Sequence, residues 1–293
     1  MRRDADVALR LSIERLRDFL LGHKDTDFKD GDDFAGKLLE GIESAFADGW
    51  QTVRAVQAIR RTTKSIYEFY RLKDVTVFGG QSPVRLKLGG ADNKSINFID
   101  GLDHFYFSKF APNTSQPLRK FFVDRYFKDG AALFGRESTE ELADFRAAAG
   151  EKLKNFTDRQ TKTIVQTSVS RVRNWAHIGS LSQAKIQLAR IVATLDSRTT
   201  EICRELDGKL LRVGVAQTAI ERLNQLEPGD FAAELYESPI GKAISKEPVK
   251  TIQSFLEDDG KTISDKLVEM GRGFPPYHPN CRTRMEGIIP GLE

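Results

Sequence analysis

The chain contains only two cysteines, and one of them lies three residues after a histidine. His278 and Cys281 belong to the run PPYHPNCR at residues 275–282, and Cys203 lies upstream of it. Thiolate and imidazole are preferred ligands of zinc, and His-x-x-Cys is a workable spacing for two ligands of one ion. Cys203, His278 and Cys281 therefore suggest a structural zinc site if the fold brings them together.

This set of ligands is one short of the four that a structural zinc ion usually has. Thr200 stands where a Cys-x-x-Cys pair with Cys203 would need its second thiol. Asp196 or Asp207 would have to complete the shell. Packed free thiols are the main alternative, and a disulfide is disfavoured because a protein made in the cytosol keeps its thiols reduced. We therefore expect no cofactor, with structural zinc as the alternative.

A Cys-His nucleophilic pair is the other chemistry that these residue types allow. The thiol of Cys203 or Cys281 would have to meet the ring of His278, and no glycine turn that would form an oxyanion hole is apparent. We therefore predict that the chain is not an enzyme. The enzymatic alternative places its active site among Asp196, Arg198, Cys203, Asp207 and His278.

The elements around these residues follow from local sequence. Pro275, Pro276 and Pro279 fix φ and remove backbone donors, which predicts a stiff loop followed by a short strand over residues 282–289. Residues 190–194 read as a strand that ends in a side-chain-bonded turn at residues 196–200. Asp207-Gly208 then predicts a two-residue hairpin.

Residues 209–213 read as the next strand, followed by amphipathic helices over about residues 215–226, 229–237, 247–257 and 262–270.

Three stretches of the second half resemble the phage Mu F-like minor head proteins, also called head morphogenesis proteins. PPYHPNCR resembles the family's closing motif, ATLDSRTTEICRELDGK (residues 193–209) its other signature, and TSVSRVRNWAHIG (residues 167–179) the helix before it. The resemblance covers roughly residues 157–293. Its motif residues are Asp196, Arg198, Thr199, Cys203, Asp207, Gly208, Pro275, Pro276, His278, Pro279, Asn280, Cys281 and Arg282.

The resemblance implies a structural protein of the virion head, present near the portal vertex in a few copies and made in the host cytoplasm. Its partners would be the portal protein, the major capsid protein or both, and some relatives enter the cell with the DNA. The order of the motifs further predicts that Cys203 lies within ligand-pair distance of the loop that carries His278 and Cys281.

Composition limits the other partners. Forty-five basic and 42 acidic side chains leave a net charge of +3, so no overall field favours nucleic acid or membrane. No apolar run approaches the roughly 18 residues of a membrane span, and the start of the chain has no signal-peptide pattern. One local basic run, over residues 154–190, suggests weak contact with DNA or a protein, and an internal virion protein that contacts DNA is therefore a further alternative for the function. The face would comprise Arg159, Lys162, Arg171 and Arg173.

The sequence of the first half of the chain predicts a domain of long helices with a small antiparallel sheet. Apolar periodicity indicates helices over about residues 5–22, 34–72 and 115–128. Alternating residues within 75–88 indicate strands, so we expect a β insertion near residues 75–99.

Capping boxes at residues 138–141 and 157–160 predict two more helices, the first of which ends near Gly150. The expected domains are residues 1–150, which would dock on the portal or capsid, and residues 151–293, an α+β domain with a few short strands. The fold class is therefore helix-dominated α+β.

Overall fold

The structure is a computed structural model that describes residues 60–61, 63–71, 89–108 and 140–289. Contacts divide the chain into two units. The first comprises Met1–Ile59 and His104–Thr163, and the second Arg60–Asp103 and Ile164–Glu293. The division into residues 1–150 and 151–293 stays a prediction, while the contacts group residues 60–103 with residues 164–293.

The described part of the first half is helical. Residues 60–61 and 63–71 lie in a helix, as the pattern over residues 34–72 predicts. Helix α1 (Gly90–Ser108) occupies residues 90–99, so the prediction of a β insertion is wrong for that part. The helices predicted over residues 5–22 and 115–128, and the strands predicted over residues 75–88, lie outside the described residues.

Helix α2 (Glu140–Gln183) is a single helix of 44 residues. The prediction of one helix ending near Gly150 and another beginning at Thr157 is wrong. One glycine in a helix interior costs only about 1 kcal/mol against alanine, which does not end a helix whose neighbours favour it. The Thr-x-x-Gln spacing at Thr157 is therefore interior sequence and caps no helix end.

Three short strands form one antiparallel sheet in the order β2-β1-β3. Strand β1 (Leu188–Val192) precedes helix α3 (Glu201–Leu206), and strand β2 (Leu210–Arg212) follows it. Strand β3 (Arg284–Gly287) follows the proline-rich loop of residues 271–283, the closing loop. In register, Ala189 faces Leu211 and Ile191 faces Met285. All four of these side chains are buried, which makes this face of the sheet part of the core.

The connection between β1 and β2 corrects the hairpin predicted at Asp207-Gly208. A helix and a turn separate the two strands, so these residues end α3 and make no two-residue hairpin. Gly208 adopts a positive φ of 76°, and its N–H donates to the Ile191 carbonyl at 2.8 Å. The sequence signal for a tight turn was right, but the turn follows a helix and does not join two strands directly.

The remaining helices largely follow the amphipathic segments of the sequence, with one missed helix between residues 237 and 247. The fold class, helix-dominated α+β with a small antiparallel sheet, is confirmed. The elements are α4 (Val213–Leu223), α5 (Pro228–Ala232), a π-helical turn (Ala233–Glu237), α6 (Pro239–Lys246), α7 (Pro248–Gln253) and α8 (Asp265–Glu269). No helix among the described residues is long and apolar enough to cross a membrane.

The part of helix α2 that belongs to the second unit, residues 164–183, packs against α1 and residues 63–71 through an aromatic contact and through Arg71. Trp175 stacks on Phe98 of α1 with ring centroids 5.7 Å apart. Arg71, 3% exposed, donates to Ser180 Oγ at 2.9 Å and pairs with Asp92 at 3.2 Å. Removing one partner of such a buried pair is strongly destabilising, so these contacts fix α2 relative to α1 and residues 63–71.

Candidate functional site

The turn before α3 is bonded through its own side chains, as predicted. Thr199 Oγ1 accepts from the Asp196 N–H at 2.8 Å and donates to the Thr194 carbonyl at 2.6 Å. Asp196 Oδ1 accepts from the Arg198 N–H at 2.8 Å. These bonds fix the start of α3. Cys203 lies on the buried side of this helix and is only 3% exposed.

The closing loop is held from within and from α2. Tyr277 is buried, and the Arg272 guanidinium donates to the carbonyl of Tyr277 at 3.4 Å and to that of Leu235. Asn280 has a positive φ of 59°, a conformation that asparagine tolerates better than most residues, and its N–H donates to Thr167 Oγ1 at 3.0 Å. The loop is therefore anchored on both sides of His278.

Cys203, His278 and Cys281 converge, which confirms the predicted proximity. The Cys203 Sγ lies 3.1 Å from His278 Nε2 and 3.8 Å from the Cys281 Sγ. The three ligand atoms all lie within 4.8 Å of one another. Both cysteines are free thiols, which contradicts the disulfide alternative.

Hydrogen bonding sets the ionisation of this cluster. The bond with Cys203, together with the nearby His278 ring, lowers the pKa of Cys281. The Cys203 pKa rises, because its proton bonds to Cys281 and its thiol is desolvated. The His278 pKa is raised by Cys281. The cluster thus favours a thiolate at Cys281 beside a proton donor at Cys203.

Neither aspartate expected to complete a metal shell joins the cluster. Both Asp196 oxygens accept from Arg282, at 2.6 and 2.7 Å, and this ion pair lowers the Asp196 pKa. Asp207 Oδ1 accepts from the Ala193 N–H at 2.8 Å. The prediction of Asp196 or Asp207 as a ligand is therefore wrong, because each carboxylate already serves the backbone or an arginine.

The cluster borders a cleft of about 470 Å³. One wall comes from helix α2, and the others come from the turn before α3 and from the closing loop. His278 and Cys281 line the cleft together with three arginines, Arg173, Arg198 and Arg282. The Arg198 side chain is 75% exposed and the other two are partly buried. The imidazole and one thiol therefore adjoin a basic opening in the surface.

The predicted basic face of α2 is wrong for Arg171, whereas Arg173 lines the cleft and also binds loop backbone. Arg171 is 3% exposed and lies over the Phe231 ring, 5.6 Å from its centroid. Arg173 donates to the Thr283 carbonyl at 2.8 Å, and desolvation lowers its pKa. Lys162 is exposed, and the side chain of Arg159 lies outside the described residues.

Sequence reasoning missed the residues of α2 that support the loop. Asn174, 1% exposed, donates to the Thr283 carbonyl at 3.3 Å, and Arg173 and Thr167 bind loop backbone as described above. All three lie in the stretch of residues 167–179 that resembles a family signature. That resemblance was the only signal that pointed to them.

Comparisons with protein-family models, with curated proteins and with solved structures found no match. Interpretation of the site therefore depends on the three motif stretches and on the contacts between them.

Proposed function

We propose that this chain is a minor head protein of a tailed bacteriophage that acts near the portal vertex during head assembly. One observation carries the proposal: the two stretches that resemble the family's signatures form a single site. Cys203 meets His278 across 75 positions of sequence, and Asp196 meets Arg282 across 86. The third resembling stretch, in α2, binds the backbone of the same loop through Arg173.

The contacts of the motif residues favour a structural role over a catalytic one. Asp196 and Thr199 shape the turn, and Arg282 ties the loop to it. The His278 Nδ1 lies 2.8 Å from the Pro279 carbonyl and has there no carboxylate partner of the kind that orients a general base. These side chains hold one another in place, as the closing contacts of a folded module would.

The partner in this proposal is the portal protein, the major capsid protein, or both. Co-expression of the full chain with each of these proteins from the same phage, followed by pull-down and size-exclusion chromatography, tests it. We expect a stable complex with at least one of them and the chain in purified heads. Its absence from heads, together with no complex, would overturn the proposal.

An ejected enzyme is the second candidate, and the distance of 3.1 Å between the Cys203 thiol and the His278 ring favours it. A thiol at this distance from an imidazole has the geometry of an activated nucleophile. Against it, Cys203 and Cys281 are each only 3% exposed, whereas a nucleophile must meet its substrate. Replacement of Cys203 by serine separates the candidates: an enzyme would keep normal head incorporation and lose infectivity.

A further inference from the structure

We propose that Cys203, His278 and Cys281 bind one zinc ion, and that its fourth coordination position opens into the arginine-lined cleft and takes an anionic oxygen ligand. The inference does not depend on the proposed function, because it concerns only the geometry of the cluster. It differs from the closed structural site considered from the sequence, because the two aspartates that would close the shell are engaged elsewhere.

The separation of the two thiols fits a shared metal ion. Two thiolates about 2.3 Å from a tetrahedral zinc ion lie about 3.8 Å apart, whereas a disulfide requires about 2.05 Å. The observed distance between the Cys203 and Cys281 Sγ atoms is 3.8 Å. The fold therefore holds these sulfur atoms at the spacing of ligands on one zinc ion.

The histidine presents the nitrogen that a metal requires. Its Nδ1 lies 2.8 Å from the Pro279 carbonyl, which can only accept, so Nδ1 carries a hydrogen and donates. In the neutral ring the lone pair is then on Nε2, the atom that faces Cys203 at 3.1 Å. Histidine ligands of metals almost always donate their other ring N–H to a carbonyl, carboxylate or water, as His278 does here.

Softness of the ligands selects the metal. Two thiolates and an imidazole favour zinc over magnesium or calcium, which prefer oxygen. Both thiols must lose their protons to bind a metal ion, so the ion would replace the hydrogen bonds within the cluster.

The cleft supplies the open position. Among the described histidine, cysteine, aspartate and glutamate side chains, only three come together at this place. Sites with three protein ligands keep their fourth position for water or an added ligand. Arg173, Arg198 and Arg282 line the adjoining cleft. Asp196 binds Arg282 through both oxygens and lies 3.5 Å from Arg198 Nη2, so one carboxylate serves two of these three arginines. The excess positive charge favours an anionic oxygen ligand such as phosphate or a carboxylate.

Metal analysis of the purified full chain tests the site directly. We expect about one zinc ion per chain after zinc loading and gel filtration, and at least a tenfold loss in Cys203→Ser and in Cys281→Ser. Glu286→Gln is the matched control, since it removes an exposed carboxylate of β3 that pairs with Arg284 and is not a ligand, and it should keep the metal. No bound zinc in wild type, or equal zinc in the cysteine variants, would overturn the site.

Cobalt substitution tests the ligands and the open position without any mutation. Wild-type chain loaded with cobalt should show thiolate-to-cobalt charge transfer and the intense visible bands of a tetrahedral site. Added inorganic phosphate should shift those visible bands. Absence of charge transfer would exclude thiolate ligation. Visible bands that do not shift when phosphate is added would overturn the open fourth position.

Discussion

Arg282 joins the two halves of the candidate site through a single carboxylate. Its guanidinium makes two parallel bonds to Asp196, the fork geometry that distinguishes arginine from lysine. It also follows Cys281 directly in sequence, so the pair determines where the loop places its thiol relative to α3. Most exposed ion pairs contribute little to stability, but this one makes two bonds and connects segments 86 positions apart in sequence.

Replacement of Arg282 by lysine should therefore lower the melting temperature, because lysine cannot make both bonds to Asp196. Glu286→Gln is the matched control: it breaks the exposed pair with Arg284, which lies within one strand and spans two residues, and should change melting little. Differential scanning calorimetry of both variants measures the contrast. Equal melting temperatures for Arg282→Lys and wild type would show that the connection is not needed.

Part of the site follows from single residues, and part does not. The convergence of Cys203 with His278 and Cys281 was predictable, because both cysteines fall in motifs of one resembled family. The pairing of Asp196 with Arg282 was not predictable, because the sequence contains many other carboxylates and arginines that could equally have paired. Only the folded chain decides which charges meet.

Helix α2 shows, at the scale of an element, that a weak local signal does not end a helix. A glycine and a capping-box spacing predicted a break near residues 150–157, and the helix continues through it. A propensity cost of about 1 kcal/mol at one residue is small beside the cooperative propagation of a long helix. The same limit explains the wrong hairpin at Asp207-Gly208, where the turn signal was local and the strand partner was not.

Gly273 tests how tightly the closing loop meets helix α8. A Cβ at this position would lie 2.6 Å from Val268 Cγ2 and 2.8 Å from Val268 Cα, so the backbone would have to move. We expect Gly273→Ala to destabilise the protein by about 1–3 kcal/mol in urea denaturation.

Gly214→Ala is the matched control for this experiment. Gly214 lies in the first turn of α4 with no atom within 4 Å of an added Cβ, so alanine should be neutral or stabilise by up to about 1 kcal/mol. Equal stability of the two variants would contradict the tight contact between the loop and α8.

Asp103 at the interface of α1 and α2 makes a pH-dependent prediction. Burial raises the pKa of Asp103 to about 7, against the bond from Ser168 Oγ at 2.6 Å and the nearby charge of Arg171. Because the folded pKa exceeds the unfolded value of about 3.9, the stabilising contribution is full below pH 4 and is lost as pH rises to 7.

Asp103→Asn removes this titration and keeps an acceptor for Ser168. Its stability relative to wild type should therefore rise between pH 4 and pH 7, by on the order of 1–3 kcal/mol. Urea denaturation of both proteins across this range measures the difference. A constant difference would show that Asp103 is ionised in the folded protein throughout.

At the scale of the whole molecule, the class of fold was predictable from local patterns, whereas the grouping of segments depends on long-range contacts. Periodicity gave the helices of the second half and a small sheet, because both signals are local. It did not predict that residues 60–103 belong with residues 164–293, since that grouping depends on contacts such as Arg71 with Ser180, 109 positions apart. A buried arginine and a solvated one look alike in sequence.

The same distinction predicts that the protein binds DNA weakly or not at all. Arg171 is buried in the fold, which removes one of the four cations of the suggested face, and Arg173 donates to the Thr283 carbonyl. Filter binding of duplex DNA at low and moderate salt should show little retention. Strong retention that falls steeply with salt and disappears in Lys162→Ala would contradict this prediction, because it would indicate phosphate contacts along α2.

The central claim is that the residues of the motif site have a structural role in a head protein. It is tested most directly by measuring melting temperature and head incorporation together for His278→Ala and Cys281→Ala beside wild type. Loss of a buried thiol or of the imidazole should destabilise by about 1–3 kcal/mol and reduce incorporation in parallel. Unchanged melting with normal incorporation would contradict the claim, and a loss of infectivity in that case would indicate chemistry after ejection.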